Sequence, residues 1–326
     1  MTGLSIDALT VRIPLRGKDV VHAATEVSLE VASGTVTALA GESGCGKSIV
    51  AAAVVGVLPP TARTDGAVRL DLGDRTVDLL DEENPRTGAR PPRAGLGAAT
   101  PAHRALRRPR RREHSYRGRH IALIPQSPGT HFTPVRTIGS QLAEAIAALG
   151  TDHTPAALVE RAGLESSALS LYPHELSGGM AQRAAVAAAL AGDPEVIVAD
   201  EPTAGLDRAR TDQIGQLLRE CADQGAAVLL ITHDLGHLLR AGIADTVAIM
   251  YASRLMEVGP GREVLDDPWH DYTGDLLAAL PERGLRPLPH PPLALTNLSE
   301  TCPYAGGPTA LVREGERMIR RPRSRC

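Results

Sequence analysis

Short apolar runs, separated by longer stretches of helical period, are the main pattern along this chain. Apolar runs of this length, rich in β-branched residues, predict strands that are buried on both faces. The predicted strands are residues 27–31, 36–40, 121–124, 196–199 and 227–232. Residues 4–40 as a whole alternate apolar and polar side chains, which also predicts strands.

The stretches between these runs carry the helical pattern. Helices are predicted at residues 49–58, 138–149, 154–162, 179–191 and 210–224. The resulting order is β-α-β-α with one all-helical insert, which is typical of an α/β fold with a parallel sheet. From Pro281 onward the chain is rich in proline, and we predict that it is irregular.

Composition narrows the class of protein. Hydrophobic residues make up 43% of the chain but aromatic residues only 2%. The core must therefore consist mainly of Ala, Val, Leu and Ile, which suits an α/β fold better than a β-sandwich. A formal net charge of −3 argues against a nucleic-acid-binding function.

The longest apolar stretch, residues 49–58, is shorter than the ~18 residues of a transmembrane helix, and the N-terminus lacks a secretory signal.

An arginine- and proline-rich segment interrupts the pattern at residues 81–119, with its densest arginine cluster at residues 107–112. We predict a long solvated loop there, with nucleic-acid or lipid contact as the alternative.

The four cysteines are widely scattered: Cys45, Cys221, Cys302 and Cys326. Such spacing predicts reduced cytosolic thiols rather than a disulfide framework.

Residues 41–48 follow a predicted strand and match the pattern G-x-x-x-x-G-K-[ST] of a phosphate-binding loop. The loop consists of Gly41, Glu42, Ser43, Gly44, Cys45, Gly46, Lys47 and Ser48. Its glycines allow backbone N–H groups to curve around phosphate oxygens at the positive end of the next helix. We expect Lys47 to reach the β- and γ-phosphates and Ser48 to ligate Mg²⁺. The alternative is a glycine turn with an incidental lysine, but the flanking strand and helix favour the loop.

Two acids, Asp200 and Glu201, end the predicted strand at residues 196–199. In a nucleotide site Asp200 would hold Mg²⁺ through water, and Glu201 would act as the general base for the attacking water. A solvated helix start would explain the two carboxylates equally well if they stood alone. Together with the phosphate loop they indicate nucleotide hydrolysis.

A second glycine-containing stretch precedes the predicted helix at residues 179–191. It consists of Leu176, Ser177, Gly178, Gly179 and Met180. A serine and two glycines before a helix can form a second anion-binding nest, and a serine N-cap with glycine turn residues is the alternative. In isolation the stretch favours the N-cap. Ser177 lies 130 residues after Lys47 and 23 residues before Asp200.

These intervals, together with the 33 residues between Asp200 and His233, resemble those of the ABC ATPase family. The stretch at residues 176–180 resembles the LSGG signature of that family. Three further positions match its motifs. Gln126 resembles the Q-loop glutamine, Asp207 in a Gly-Leu-Asp triplet resembles the D-loop aspartate, and His233 resembles the switch histidine.

The resemblance covers residues 4–281 and implies both fold and chemistry. The implied fold is α/β, with a P-loop NTPase (RecA-like) core, a small antiparallel β subdomain and an α-helical signature subdomain at about residues 127–192. Residues 1–280 would form the ABC ATPase domain, and residues 281–326 an irregular C-terminal extension. ATP and Mg²⁺ are the implied cofactors.

The resemblance also implies roles for single residues. Gln126 would contact Mg²⁺ and relay to a membrane subunit, Asp207 would contact the second ATPase of a dimer, and His233 would lie at the γ-phosphate. The aromatic residue on which family members usually stack adenine is missing. We expect Ile13 to contact the base instead, with weaker selectivity for adenine.

Several stretches resemble the oligopeptide, dipeptide and nickel importer branch of the family. They are residues 125–128, 133–139, 172–183, 267–273 and 276–280. Members of this branch commonly pair two different ATPase subunits, so we expect a hetero-dimer, with a homodimer left open. The resemblance implies two integral-membrane permease subunits and, indirectly, an extracellular or periplasmic substrate-binding protein as partners. It implies a peripheral location at the cytoplasmic face of the cell membrane, and no nucleic acid is expected.

The expected function is ATP hydrolysis that powers the import of peptides or, second, of nickel or metal chelates. An ABC exporter ATPase is an alternative, because the motor does not encode the direction of transport. A soluble ABC ATPase that acts on DNA or ribosomes fits less well. The 130 residues between Lys47 and Ser177 leave no room for long coiled coils, and the sequence contains one phosphate loop.

Overall fold

The computed structural model describes residues 3–80, 116–128, 131–299, 304 and 309–322. The strands in these ranges are β1 (Gly3–Pro14), β2 (Val20–Ala32), β3 (Val36–Ala40), β4 (Arg63–Asp71), β5 (Thr76–Asp78), β6 (Ile121–Ile124), β7 (Val196–Asp200), β8 (Ala227–Thr232), β9 (Thr246–Tyr251), β10 (Arg254–Pro260), β11 (Thr309–Glu314) and β12 (Arg317–Pro322). The α-helices are α1 (Lys47–Val54), α2 (Ile138–Leu149), α3 (Pro155–Arg161), α4 (Gly178–Ala189), α5 (Arg208–Asp223), α6 (Leu235–Ala241), α7 (Gly261–Asp266) and α8 (Asp271–Ala278).

The larger sheet has the strand order β11-β12-β10-β9-β3-β8-β7-β6. Strands β9, β3, β8, β7 and β6 are parallel neighbours, and β10, β12 and β11 add antiparallel pairs at one side. Strand β3 is buried along its whole length because both faces of the sheet are covered. Val36, Ala38 and Ala40 point into one hydrophobic core, which we call the first core. Leu39 points into the hydrophobic core on the other face of the sheet, the second core. This alternation follows from the two-residue period of a strand.

Helices α1 to α5 follow the predicted order, whereas α6, α7 and α8 were not predicted. Helix α1 begins at Lys47, within the last two residues of the phosphate loop. Helices α2, α3 and α4 lie between β6 and β7, and α5 connects β7 to β8. Fully buried alanines on α4, such as Ala184, Ala185 and Ala187, allow it to pack closely, which explains how a chain with few aromatics fills its core. No α-helix within the described ranges has the length and apolar character needed to cross a membrane.

The smaller sheet is antiparallel, in the order β2-β1-β4-β5. Leu4 and Ile6 of β1 pair in register with Val31 and Leu29 of β2, and all four are buried in the second core. This sheet corresponds to the predicted antiparallel subdomain. Strand β2 also packs near β3, β8 and β10, so the small sheet lies against the strand that leads into the phosphate loop.

The prediction of an irregular chain from residue 281 onward is wrong for β11 and β12. These strands form a hairpin from the pair Thr309–Pro322 to the pair Glu314–Arg317, and β12 continues the larger sheet by pairing with β10. Proline- and arginine-rich flanks hid the two short strands in the sequence. Strands β9 and β10 were also not predicted, although their apolar character is typical of strands.

The predicted arginine-rich loop at residues 81–119 lies outside the described residues except for its last four positions. In that short piece Tyr116 is buried and begins the turn that leads into β6. The backbone N–H groups of His120 and Ile121 both donate to the carbonyl of Tyr116, and these two hydrogen bonds hold the turn that precedes β6.

Candidate nucleotide site

The phosphate loop connects the end of β3 to the start of α1, as the sequence predicted. Lys47 is the first residue of α1, and its side chain is buried. Its Nζ atom donates to the carbonyl oxygens of Gly41 and Glu42, each at 2.8 Å. The ammonium group is thus folded back over the loop, where it forms a fixed positive centre beside the N-terminus of α1.

Two glycines of the loop occupy positions that no other residue could fill. Gly41 has φ +152°, and a β-carbon there would lie 2.1 Å from the carbonyl oxygen of Met250. Gly46 has φ +114°, and its β-carbon would lie 2.2 Å from the carbonyl oxygen of Ala23. The loop therefore packs directly on the backbone of β9 and β2, and its glycines are required by close approach as well as by conformation.

Ser48 and Asp200 meet at the carboxyl edge of the larger sheet. The hydroxyl of Ser48 donates to Oδ1 of Asp200 at 3.1 Å. Burial raises the pKa of the Asp200 carboxyl, and the hydrogen bond from Ser48 opposes that rise. The charge of Glu201 adds to the rise, and the charge of Lys47 opposes it. A cation placed here would stabilise the ionised carboxylate.

Glu201 lies at the centre of a second group of polar side chains. Its Oε2 atom accepts from Nε2 of Gln126 at 3.2 Å and lies 3.1 Å from Nδ1 of His233. Its side chain is only 11% exposed, whereas that of His233 is 52% exposed. The structure thus brings together three predicted residues that come from the ends of β6, β7 and β8.

The backbone of Glu201 is left-handed, with φ +48°. For a residue with a β-carbon this conformation costs about 1–2 kcal/mol. The N–H of Glu201 donates to the carbonyl of Ile231 at 2.9 Å, which holds the turn after β7 against β8. A strained conformation that its surroundings maintain is frequent at functional sites.

Ser177 is the N-cap of α4, as the alternative interpretation of this stretch also required. Its Oγ atom accepts from the N–H of Met180 at 3.3 Å. The space in front of Gly178 is open, since a β-carbon there would meet nothing within 4 Å. The exposed start of α4 therefore presents backbone N–H groups to the outside, and capping and anion binding are compatible.

Asp207 caps α5 and lies near the signature. Its Oδ1 atom accepts from the N–H of Arg210 at 3.0 Å, and its other oxygen pairs with the Arg210 guanidinium at 3.0 Å. The aliphatic part of Arg210 in turn covers Gly179. Leu176 and Met180 are partly buried against the first core. The predicted D-loop and signature stretch thus share one neighbour.

The signature lies at the start of α4, whereas the phosphate loop lies between β3 and α1. Among the described residues, no hydrogen bond or ion pair joins residues 41–48 to residues 176–180.

Ile13 lies on β1, in register with Val21 of β2, and packs partly buried against the second core. Its predicted contact with adenine stays a prediction.

Two contacts that hold the phosphate loop could not be predicted from the sequence. The N–H of Ser253 donates to the carbonyl of Cys45 at 2.9 Å. The hydroxyl of Tyr272 donates to Oε2 of Glu42 at 3.1 Å. Tyr272 lies in a stretch that resembled the importer branch, but nothing in a single sequence connects a tyrosine to a residue 230 positions earlier.

Comparison with known families agrees with this geometry. Residues 24–204, more than half of the chain, match the family described as ABC transporter. The chain belongs to the ABC transporter ATP-binding family. The predicted family and its ATPase class are thereby confirmed, and ATP is the nucleotide that this family binds.

Three relatives are similar over most of this ABC ATPase. The probable peptide ABC transporter ATP-binding protein y4tR of Sinorhizobium fredii is 34% identical over 312 residues, which span 89% of this chain and 84% of the relative. The dipeptide transport ATP-binding protein DppD of Bacillus subtilis is 33% identical, spanning 93% of this chain and 85% of the relative. The oligopeptide transport ATP-binding protein OppD of Mycobacterium tuberculosis is 35% identical, but the match spans only 44% of its length.

Solved structures share the fold of this ABC ATPase. A dimeric post-hydrolysis state of the ATP-binding cassette MJ0796, bound to ADP and Pi, superposes with a TM-score of 0.60 at 21% identity, over 79% of this chain and 99% of that one. The cbiO1 protein of Clostridium perfringens gives a TM-score of 0.57 at 22% identity, over 81% of this chain and 90% of that one. The predicted α/β P-loop fold class is therefore confirmed.

Proposed function

We propose that this ABC ATPase hydrolyses ATP at the edge formed by β3, β7 and β8 and thereby powers the import of peptides. The observation that carries the hydrolytic assignment is the Glu201 carboxylate, held between Gln126 and His233. A largely buried carboxylate, fixed beside a phosphate loop and next to Asp200, is suited to orient and deprotonate water.

ATP would bind through residues 41–48. Backbone N–H groups of the loop and of the first turn of α1 would contact the phosphate oxygens. Lys47 would exchange its bonds to the loop carbonyls for bonds to the β- and γ-phosphates, since its ammonium already lies over the loop. Ile13 would give apolar contact to adenine, without the stacking that an aromatic residue provides.

Mg²⁺ fits the oxygen donors at Ser48 and Asp200. Their oxygens lie 3.1 Å apart, and burial of Asp200 favours a cation beside it. In phosphate sites this metal usually takes one or two carboxylates, substrate phosphates and water. We propose that Ser48 ligates it, that Asp200 holds it through water, and that Gln126 contacts it. When bound it would neutralise charge on the phosphates.

The proposed chemical step uses residues of this chain around one water molecule. The water oxygen forms a bond to the γ-phosphorus as the bond from that phosphorus to the bridging oxygen of ADP breaks. Glu201 accepts the proton of the water, and His233 lies beside the γ-phosphate to hold the transferred group. The products are ADP and inorganic phosphate.

A dimer would complete each site. No hydrogen bond or ion pair among the described residues joins residues 41–48 to residues 176–180, and the space in front of Gly178 at the start of α4 is open. We propose that Ser177, Gly178 and Gly179 cover the ATP bound by a second ATPase subunit, and that Asp207 contacts that subunit. We propose a hetero-dimer, with two copies of this chain as the alternative. Binding of ATP between the two subunits would supply the free energy that closes them.

The proposed transporter contains two integral-membrane permease subunits and takes cargo from an extracellular or periplasmic binding protein. The ATPase would lie at the cytoplasmic face of the membrane, and closure of the dimer would act on the permeases near Gln126. Peptides are the proposed cargo, because relatives that match most of this chain are named as peptide and dipeptide transport proteins. Nickel or a metal chelate is the second candidate from the branch resemblance.

The test is reconstitution of the chain with the permeases encoded beside it and their binding protein. Proteoliposomes should take up a labelled di- or oligopeptide only with ATP and Mg²⁺. The matched control carries Glu201→Gln and should take up none. Uptake of labelled nickel instead of peptide would overturn the cargo assignment, and cargo movement in the opposite direction would favour the exporter alternative.

A further inference from the structure

The phosphate loop carries an acidic side chain at its second position. Glu42 places a carboxylate in a loop that would bind a triphosphate. The negative charges of the carboxylate and of the phosphates repel each other. An anion-binding loop therefore needs this carboxylate to be held away from the bound phosphates. Tyr272 is the side chain that contacts it, through the 3.1 Å hydrogen bond from its hydroxyl to Oε2 of Glu42.

Tyr272 is well suited to hold a charge in place. Its side chain is fully buried, and its ring packs on that of Tyr251 with 4.5 Å between the ring centroids. The ring of Tyr304 makes an edge contact on Tyr272 at 5.4 Å. Burial, with the charge of Glu42 in the same direction, raises the pKa of Tyr272, so its hydroxyl stays protonated and remains a donor.

The helix that carries Tyr272 is itself fixed at its start. His270 is the N-cap of α8, and its Nδ1 atom accepts from the N–H of Tyr272 at 3.1 Å. The fully buried carboxylate of Glu257 on β10 accepts from the N–H groups of Trp269 and His270, at 2.9 Å and 3.1 Å. Arg317 of β12 lies 3.5 Å from the same carboxylate. The position of Tyr272 thus depends on the larger sheet and its C-terminal hairpin.

We infer that Tyr272 is a positioning residue of the phosphate loop. Its hydroxyl holds the carboxylate of Glu42 on the side of the aromatic cluster formed by Tyr251, Tyr272 and Tyr304, so that the loop can accept the triphosphate. This inference rests on the proposed function of residues 41–48. It gives the segment after β10 a role in nucleotide affinity, whereas Lys47, Asp200 and Glu201 contact the nucleotide, its metal or water directly.

The test is a double-mutant cycle on the full chain, read as the Kd for ATP in the presence of EDTA, so that no hydrolysis occurs. Tyr272→Phe removes the hydroxyl and keeps the ring that packs on Tyr251. It should weaken ATP binding by about tenfold or more, the effect of one charge-assisted hydrogen bond. Tyr304→Phe is the matched control, because it removes a hydroxyl from the same cluster, and it should change Kd by less than about twofold.

The cycle separates positioning of the charge from general stability. In a Glu42→Gln background, Tyr272→Phe should change Kd by less than about twofold, since no charge remains to be held. Glu42→Gln by itself should bind ATP about two- to threefold more tightly, because a repulsive charge is gone. This variant leaves Tyr272 intact, so it tests the inference even if Tyr272→Phe folds poorly.

Three results would overturn the inference while the proposed function stands. They are wild-type Kd in Tyr272→Phe, equal losses in Tyr272→Phe and Tyr304→Phe, and a loss that persists fully in the Glu42→Gln background. A wild-type chain that binds no ATP would instead overturn the proposed function, and the inference with it. Thermal unfolding of each variant shows whether a change in Kd accompanies a change in stability.

Discussion

Glu201 shows how a single position combines strain and chemistry. Its left-handed backbone turns the side chain from the end of β7 toward Gln126 and His233, where a regular strand would have continued along the sheet. The neighbouring Asp200, at the end of the same strand, points to Ser48 instead. One turn of the backbone thus separates a carboxylate suited to hold a metal from a carboxylate suited to act on water.

Replacement of Glu201 by glutamine should remove hydrolysis and keep ATP binding. The amide retains the shape of the side chain but cannot accept the proton of the attacking water, so kcat should fall by about 10²–10⁴-fold. Phosphate release and equilibrium ATP binding are the two measurements. Glu195→Gln, just before the other end of β7, is the matched control and should keep wild-type kcat. Hydrolysis at the wild-type rate in Glu201→Gln would contradict the assignment.

Gly46→Ala tests the close packing of the phosphate loop. The new methyl group would meet the carbonyl oxygen of Ala23 at 2.2 Å and would require alanine at φ +114°. The two effects together should lower the free energy of unfolding by roughly 3–5 kcal/mol and weaken ATP binding. Gly44→Ala is the matched control, because φ is +81° but no atom lies within 4 Å.

Gly44→Ala should lose only about 1–2 kcal/mol, from conformation alone. Urea unfolding of both variants measures the difference. Equal losses at the two positions would show that backbone conformation, and not the approach of β2, determines the need for glycine.

At the scale of elements, the strands that carry the site all end at one edge of the larger sheet, and helix α1 begins there. Parallel β3, β7, β8 and β6 bring the phosphate loop, the two acids, His233 and Gln126 to this edge, as expected for open α/β sheets. The capped starts of α4 and α5 lie together through Arg210. Helix α8 contacts the phosphate loop through Tyr272, and β10 and β12 hold the start of this helix.

The start of α8 should make the protein sensitive to acid. Burial lowers the pKa of His270 to about 4, whereas an unfolded histidine titrates near pH 6.5. Between these values the unfolded state binds the proton and the folded state does not, so the free energy of unfolding falls as the pH falls. From pH 7 to pH 5 the loss should be about 2 kcal/mol.

Urea unfolding at the two pH values measures this dependence. His270→Asn preserves a side chain that can cap the helix but removes the titrating group, and its loss between pH 7 and pH 5 should be smaller by about 2 kcal/mol. Parallel stability profiles for the wild type and His270→Asn would contradict a neutral, buried His270 in the folded state.

At the scale of the whole molecule, the phosphate loop lies at the start of α1 and the signature at the start of α4, and no hydrogen bond or ion pair among the described residues joins the two. The assembly is therefore the functional unit under the proposed function. Under that function, a chain that binds ATP through residues 41–48 would still need a second subunit to cover that ATP, and it would offer residues 176–180 in exchange.

Ser177→Arg should reveal this exchange in the assembled transporter. A large cation at the start of α4 would block the nest for the partner's ATP, so total ATP hydrolysis should fall by about tenfold or more. Photolabelling of this chain by an azido-ATP should stay at the wild-type level, because its own phosphate loop is intact. Lys47→Ala should instead abolish the labelling.

Ser166→Arg places the same charge at an exposed serine of the helical segment and is the matched control. It should keep wild-type hydrolysis. A Ser177→Arg transporter with unchanged hydrolysis, or one whose chain loses its own photolabel, would contradict a signature that acts on the partner's nucleotide.

The sequence by itself determined the fold class, the parallel core strands and the residues that make up the proposed nucleotide site. Residues 41–48 and the stretch that ends in Asp200 and Glu201 are local patterns, because a phosphate cradle needs glycines, a lysine and a hydroxyl at fixed spacing on a strand–loop–helix unit. Strands β3, β6 and β8 were predicted at their observed bounds, since short apolar runs buried on both faces leave a clear signal.

Only the tertiary structure determined the contacts that join distant parts of the chain. The left-handed turn at Glu201, the packing of Gly46 on Ala23, and the bond from Tyr272 to Glu42 depend on strands and helices brought together by packing. The hairpin of β11 and β12 was missed because its stability comes from pairing with β10, more than 50 residues earlier, and not from a strong local pattern. Local chemistry is written in adjacent residues, whereas positioning arises from burial and register between segments that the sequence keeps apart.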